Sequence, residues 1–209
     1  MTGKRTAIFG GSFNPIHNGH ISIARALLAG GLADEVWFVV SPMNPFKQHA
    51  FLLDDSTRLR IARQAVAAEQ GMHVSDVEFG LPRPSYMSNT LRTLSRRYPG
   101  RTFSLVIGGD NWQSFGKWHE AGFILSHYDV IVYPRSGNTD TQTAWAEGTE
   151  SKNHSVTFVD MPLLNISSTD IRRRIKARQS IHGMVPADVE KEITEQYSNE
   201  GVSKYKSTT

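Results

Sequence analysis

No cysteine occurs in the chain, which excludes disulfide staples, thiol catalysis and cysteine-ligated zinc. No stretch approaches the uninterrupted apolar length of a membrane helix, and the N-terminus lacks the apolar segment of a secretory signal. The expected location is therefore the cytoplasm, with no membrane partner. A long run of one charge sign is also missing: the net charge is +3 over 209 residues, and Arg172-Arg173-Arg174 is the densest basic cluster. An isoelectric point of about 9.2 suits an anionic small ligand as well as nucleic acid, so composition leaves the partner open. No internal repeat is visible. The length corresponds to one large domain, or a domain with a small appendage, and allows a real core.

What is present is concentrated in Gly10-Gly11-Ser12-Phe13-Asn14-Pro15-Ile16-His17-Asn18-Gly19-His20. This string follows an apolar run, Ala7-Ile8-Phe9, that reads as a first strand. It precedes Ile21 to Leu28, where Ile21, Ala24 and Leu28 recur at helical spacing. Glycines, a hydroxyl and two imidazoles thus sit on a strand-to-helix turn, where open parallel sheets bind ligands. Free N–H groups and the positive dipole end at the helix start favour a phosphate there. A glycine pair alone could be only a tight turn. His17 and His20, three residues apart beside it, could project towards one phosphate.

Further along, Val36 to Val40 is a continuous apolar run of the kind buried on both faces of a sheet. Asp54 and Asp55 can cap a helix carrying Leu59, Ala62 and Val66 on one side. A short strand is predicted over His73 to Glu78, then a loop from Gly80 to Ser85. A helix opens at Thr90 and stops near Tyr98-Pro99-Gly100. Thr102 to Ile107 is the next strand and delivers Gly108-Gly109-Asp110 onto a loop. Asp129 to Tyr133 is another strand. The polar stretch from Ser136 to His154 is predicted to be a long loop or insertion.

Strand character returns from Ser155 to Met161. Ser167 or Ser168 then caps a helix through Ile171 and Ile175. Pro186 can sit in the first turn of a last helix with Val189, Ile193 and Tyr197 on one face, and the residues after Tyr197 are predicted to fray. Alternating buried-type strands and amphipathic helices indicate a doubly wound α/β fold with a parallel sheet and a small helical C-terminal part over 162–197.

Other groups following strand ends can carry chemistry. Asp110 could take a sugar hydroxyl or cap a helix. Trp118 could stack on an aromatic ring or pack into a core. In Ile166-Ser167-Ser168-Thr169-Asp170-Ile171-Arg172, hydroxyls and N–H groups at a helix start with an arginine one turn in suit a polyphosphate. The same residues could be a serine-rich cap with solvated arginines. Lys47, in a proline-bracketed loop, could be merely exposed or swing over a triphosphate.

Gly11, Phe13, Pro15, His17, Gly19 and His20 match the nucleotidyltransferase signature Gly-x-Phe-x-Pro-x-His-x-Gly-His. Together with Ser85-Tyr86, Thr90-Leu91, Ile107-Gly108-x-Asp110, Lys117-Trp118 and the Ile166 to Arg172 stretch, they resemble the bacterial nicotinate-nucleotide adenylyltransferase family from Ala7 to about Ile193. The resemblance implies a Rossmann-like nucleotidyltransferase domain spanning the chain. It implies adenylyl transfer from ATP to nicotinate mononucleotide, by in-line attack of the mononucleotide phosphate on the α-phosphorus. Under it His17, His20, Lys47 and Arg172 stabilise phosphate charge. Gly10, Gly11, Ser12, Phe13, Gly108, Asp110, Ile166, Ser168 and Thr169 bind ATP, while Met87, Thr90 and Trp118 receive the mononucleotide. Mg²⁺ is expected to ride on the ATP phosphates, with no metal site made by the protein alone.

Three positions depart from the family's habit: Met87 stands where threonine is common, His119 where tyrosine is usual and Phe46 where histidine is frequent. Sister enzymes using nicotinamide mononucleotide, phosphopantetheine or a cytidylyl donor share the opening signature. The placement of Asp110, Trp118 and the Ile166 to Arg172 stretch argues against the last two. Class I aminoacyl-tRNA synthetases pair their His-x-Gly-His with a Lys-Met-Ser-Lys-Ser element that this chain lacks. A non-catalytic nucleotide-binding protein would fit a site without phosphate-stabilising residues, and His17, His20 and Arg172 are all here. No nucleic-acid partner is expected, and a homo-oligomer remains open.

Overall fold

Residues 3–42, 52–134, 154–161 and 164–203 are described by the computed structural model, with side chains through Ser198. Lys47 and Phe46, and residues 136–153 of the expected long loop, lie outside them. Six strands form one sheet: β1 (Lys4–Gly11), β2 (Glu35–Val40), β3 (Met72–Ser75), β4 (Arg101–Gly108), β5 (Asp129–Tyr133) and β6 (Val156–Phe158). Their order is β3-β2-β1-β4-β5-β6 and every neighbouring pair is parallel. Between and after them run α1 (Asn18–Ala29), α2 (Asp55–Ala65), α3 (Met87–Arg97), α4 (Gly109–Gln113), α5 (Ala121–His127), α6 (Ser168–Lys176) and α7 (Ala187–Ser203).

The alternation of side chains along each strand divides the core in two. Ala7, Phe9, Val36, Phe38 and Val40 point to one face, packed with residues of α1, α2, α6 and α7. Ile8, Trp37, Val39, Leu105 and Ile107 point to the other, against α3, α4 and α5. Strand β2 is buried along its whole length, as its unbroken apolar run requires. The doubly wound architecture predicted from the alternation of elements is the one observed, and it is Rossmann-like as the family resemblance implies.

Several boundaries differ from the sequence expectation for local hydrogen-bonding reasons. β3 stops at Ser75, whose Oγ accepts from the Val77 amide at 3.3 Å, and Val77–Gly80 winds as a 3₁₀ turn instead of continuing the strand to Glu78. α3 begins at Met87 rather than Thr90, because the Tyr86 carbonyl already accepts from the amides of Asn89 and Thr90. Gly109 and Asp110 open the short helix α4 rather than a loop. Pro186 sits immediately ahead of α7, and that helix continues beyond Tyr197 to Ser203 where fraying was expected. The predicted stop at Tyr98 and the 129–133 strand are as expected.

From β1 the chain winds outward through β2 and β3, then returns to place β4, β5 and β6 on the other side. The reversal lies between β1 and β4. Loops leaving the carboxyl ends of those two strands diverge to opposite faces and leave a crevice there.

Candidate active site

A cavity of about 820 Å³ occupies that crevice, with the β1–α1 turn, the end of β4, the start of α3, Trp118 and the start of α6 in its walls. His17 is the N-cap of α1, in extended conformation, and His20 is its third residue. The His17 amide donates to His20 Nδ1 at 3.2 Å, and the two imidazoles stack with centroids 3.7 Å apart. An Nδ1 that accepts puts the proton of a neutral imidazole on Nε2, which makes that atom the donor of the His20 ring. Phe9 and Phe13 meet the His20 ring edge-on at 5.8 and 5.1 Å and restrict its tilt.

Gly19 is required by the same packing: a Cβ there would lie 2.9 Å from His17 Nδ1, closer than real side chains come. Gly108 answers a similar demand at the end of β4, where a Cβ would approach Asp110 Oδ1 to 2.6 Å. Gly10, Gly11, Ser12, Phe13, Gly108 and Asp110 all reach the cavity.

Helix α6 closes one side of the cavity. Ser167 caps it by accepting from the Asp170 amide at 3.0 Å. Ser168 Oγ donates to the Pro15 carbonyl at 2.9 Å, and Arg172 donates to the Asn14 carbonyl at 2.7 Å and to Thr169 Oγ1 at 3.2 Å. Residues more than 150 positions apart are thereby stitched into one wall, with Ser168, Thr169 and Arg172 facing the cavity. The helix start, the arginine and the two imidazoles converge as a site for an anion would. Ile166 is beside Gly19, its carbonyl 3.6 Å from where a Cβ would stand, and is not on the cavity wall.

The opposite face of the sheet supplies the aromatic side. Trp118 packs against Phe115 with centroids 5.1 Å apart, faces the cavity and leaves its buried Nε1 without a hydrogen-bond partner. Met87 is the first residue of α3, and Tyr86, its extended N-cap, makes no side-chain cap bond. The first amides of a helix have no intrahelical acceptor, so this end can receive a carboxylate. Tyr86 stacks on His119 at 4.3 Å on the cavity rim. Thr90 is fully buried and stands behind the wall rather than in it: its hydroxyl donates to Glu78 Oε1 at 2.8 Å.

Glu78 faces the cavity although nothing in the local pattern singled it out, since Asp76-Val77-Glu78-Phe79 reads as alternating strand. Burial pushes its carboxyl above the ordinary glutamate range, opposed in part by the nearby hydroxyls, of which Thr90 donates to it at 2.8 Å. Arg58, fully buried on α2, is a second residue that sequence reasoning missed. No group of three or more His, Asp and Glu side chains capable of holding a metal gathers among the described residues. The carboxylate of Asp110 and the hydroxyls of Ser168 and Thr169 are oxygen donors compatible with a magnesium ion carried chiefly by phosphate and water.

Comparison with known proteins adds to this geometry. The cytidylyltransferase-like family profile matches residues 8–174. A Bacteroides fragilis protein described as "Probable nicotinate-nucleotide adenylyltransferase" is 41% identical over 196 residues, covering 94% of each chain. A Cytophaga hutchinsonii protein of the same description is 41% identical and covers 93% of this chain and 99% of its own. Among solved structures, Plasmodium falciparum nicotinic acid mononucleotide adenylyltransferase complexed with NaAD superposes with a TM-score of 0.68 at 19% identity, covering 97% and 96% of the two chains. That last likeness bears on the fold alone.

Proposed function

Because the chain belongs to the cytidylyltransferase-like family, and within it to the nicotinate-nucleotide adenylyltransferases, we propose that it transfers the adenylyl group of ATP to nicotinate mononucleotide. The products are nicotinate adenine dinucleotide and pyrophosphate, a step of NAD biosynthesis for which a cytoplasmic location is the natural one. The observation that carries this reading is the two-sided cavity. Stacked imidazoles, a helix start and Arg172 lie on one face of the sheet; Trp118 and the start of α3 lie on the other.

In the proposed reaction a 5′-phosphate oxygen of the mononucleotide forms a bond to the α-phosphorus as the bond to the β-phosphate bridging oxygen breaks. That phosphate is already a competent nucleophile, so the protein needs to supply position and charge rather than a base. His20 donates from Nε2 to the phosphates, His17 supports its ring, and Arg172 neutralises charge from α6. Lys47 would add a further cation. Backbone N–H groups of Gly11 to Phe13 line the phosphate turn, and Gly108 and Asp110 face the nucleotide sugars. Trp118 stacks on the pyridine ring while the α3 amides at Met87 receive its carboxylate. Thr90 acts from behind, by holding Glu78. Mg²⁺ carried chiefly by ATP phosphates and water would supply further charge neutralisation, with the hydroxyls of Ser168 and Thr169 as the protein oxygens that would hold it. The chain acts as one nucleotidyltransferase domain in this reading, with 162–197 contributing the C-terminal wall.

Pyrophosphate release is measured from ATP with nicotinate mononucleotide and with nicotinamide mononucleotide offered separately. Release with the acid, and much slower release with the amide, is the expected outcome. No release with either removes the assignment; equal rates remove the acid preference.

A further inference from the structure

Arg58 sits under the cavity with its side chain fully enclosed, and the geometry points to a role beyond packing. Its Nε donates to the Leu53 carbonyl at 3.0 Å, one Nη to the carbonyls of Ser12 at 2.5 Å and Ser41 at 2.9 Å, and the other to Pro42 at 3.4 Å and Asp55 at 2.6 Å. A guanidinium has five N–H donors, and all are used. Ser12 and Ser41 follow the carboxyl ends of β1 and β2, so one side chain grips both strand-end loops. Asp55 extends the grip: its second oxygen accepts from Arg83 at 2.9 Å, two residues before Ser85 on the cavity wall.

The consequence lies in the peptide between Ser12 and Phe13. Its C=O and N–H point in opposite directions, as in any trans peptide. Holding the Ser12 carbonyl beneath the loop therefore turns the Phe13 N–H the other way. Phe13 itself is at φ 43°, a left-handed conformation that a bulky side chain adopts only under outside restraint. Arg58 supplies that restraint. We infer that Arg58 is a positioning residue: through Ser12 and Asp55 it holds the phosphate turn and the substrate loop in a fixed relation.

The inference rests on the proposed adenylyl transfer for its kinetic readout. Arg58→Lys keeps the charge but cannot satisfy five acceptors. With the variant shown folded by circular dichroism and a cooperative urea transition, kcat/KM should fall by about a hundredfold, with a raised KM for ATP. A purely structural residue would lower only the active fraction and leave KM unchanged; that result, or constants within about twofold of wild type, overturns the role. Should Arg58→Lys fail to fold, Asp55→Asn carries the test, because its carboxylate is partly exposed. A rise of about threefold or more in KM for nicotinate mononucleotide supports the strut, and a smaller change overturns it. If wild type turns over neither mononucleotide, the functional reading fails separately. Calorimetric titration of the folded variant and wild type with ATP alone then decides: weaker binding by about tenfold supports the clamp, and equal binding overturns it.

Discussion

The His20 imidazole is held by a hydrogen bond from the His17 amide to Nδ1, by the stacked His17 ring and by two phenylalanine rings met edge-on. Its removal should cost far more in chemistry than in folding. His20→Ala is expected to lower kcat by about a hundredfold or more, the scale of losing one charge-stabilising donor. The lost helix-start bond should reduce unfolding free energy by only about 1 kcal/mol. Steady-state turnover beside urea denaturation checks both. Glu78 gives a pH prediction of definite sign. Burial raises its folded-state pKa above the unfolded value, so its favourable contribution is complete below the unfolded pKa and is lost as pH rises through the folded one. Glu78→Gln keeps an acceptor for Thr90 and removes that loss. Unfolding free energy measured from pH 4 upward, starting about at the ordinary carboxyl pKa, should decline more for wild type than for the variant.

At the scale of elements, the two clearest side-chain caps sit at the starts of α2 and α6. Asp54 accepts from the Thr57 amide at 2.9 Å and from Ser56 Oγ, and these bonds hold its carboxyl down to about 2. A depressed pKa means that the contribution is present above the unfolded value and is lost as pH falls towards 2. Asp54→Ala is expected to cost about 1 kcal/mol near neutrality and less in acid, read from urea midpoints. Ser167→Ala should cost about the same in stability. It should also raise KM for ATP, because α6 carries Ser168, Thr169 and Arg172 to the wall proposed to take the phosphates. These caps could be read from sequence, since each is a polar residue directly before a periodic apolar run. The start of α3 could not: Tyr86 caps nothing with its side chain, and only the backbone bonds to its carbonyl reveal where the helix begins.

Over the whole molecule, α7 is tied to the β1–α1 turn on the face of the sheet that both help to cover. Tyr197 donates its hydroxyl to Asn14 Oδ1 at 2.5 Å, and the same oxygen accepts from the Leu53 amide at 3.1 Å. Tyr197→Phe removes this donor from a buried acceptor, so a loss of about 1 kcal/mol in unfolding free energy is expected. A ligand that touches both faces of the sheet should stabilise the chain as a unit. ATP with Mg²⁺ at about a hundred times its Kd should add about 2.7 kcal/mol to unfolding, read by denaturation with and without nucleotide.

The sequence by itself determined the parallel doubly wound sheet and the glycine- and histidine-bearing turn between β1 and α1. Both are written in local pattern: unbroken apolar runs for strands covered on two faces, and Gly11 through His20 in one continuous string. It also held the α6 segment, because a cap and its helix are neighbours in the chain. Only the tertiary structure decided what joins these pieces. Arg58 lies in an amphipathic helix like any surface arginine until Ser12, 46 residues away, is seen to need its donors. Glu78 belongs to a false strand pattern until Thr90 and the cavity surround it. Asn14 and Tyr197 are 183 residues apart. Periodicity reports which face of an element is buried; it carries no information about which distant backbone group a buried polar atom must satisfy, and that is settled when the chain closes on itself.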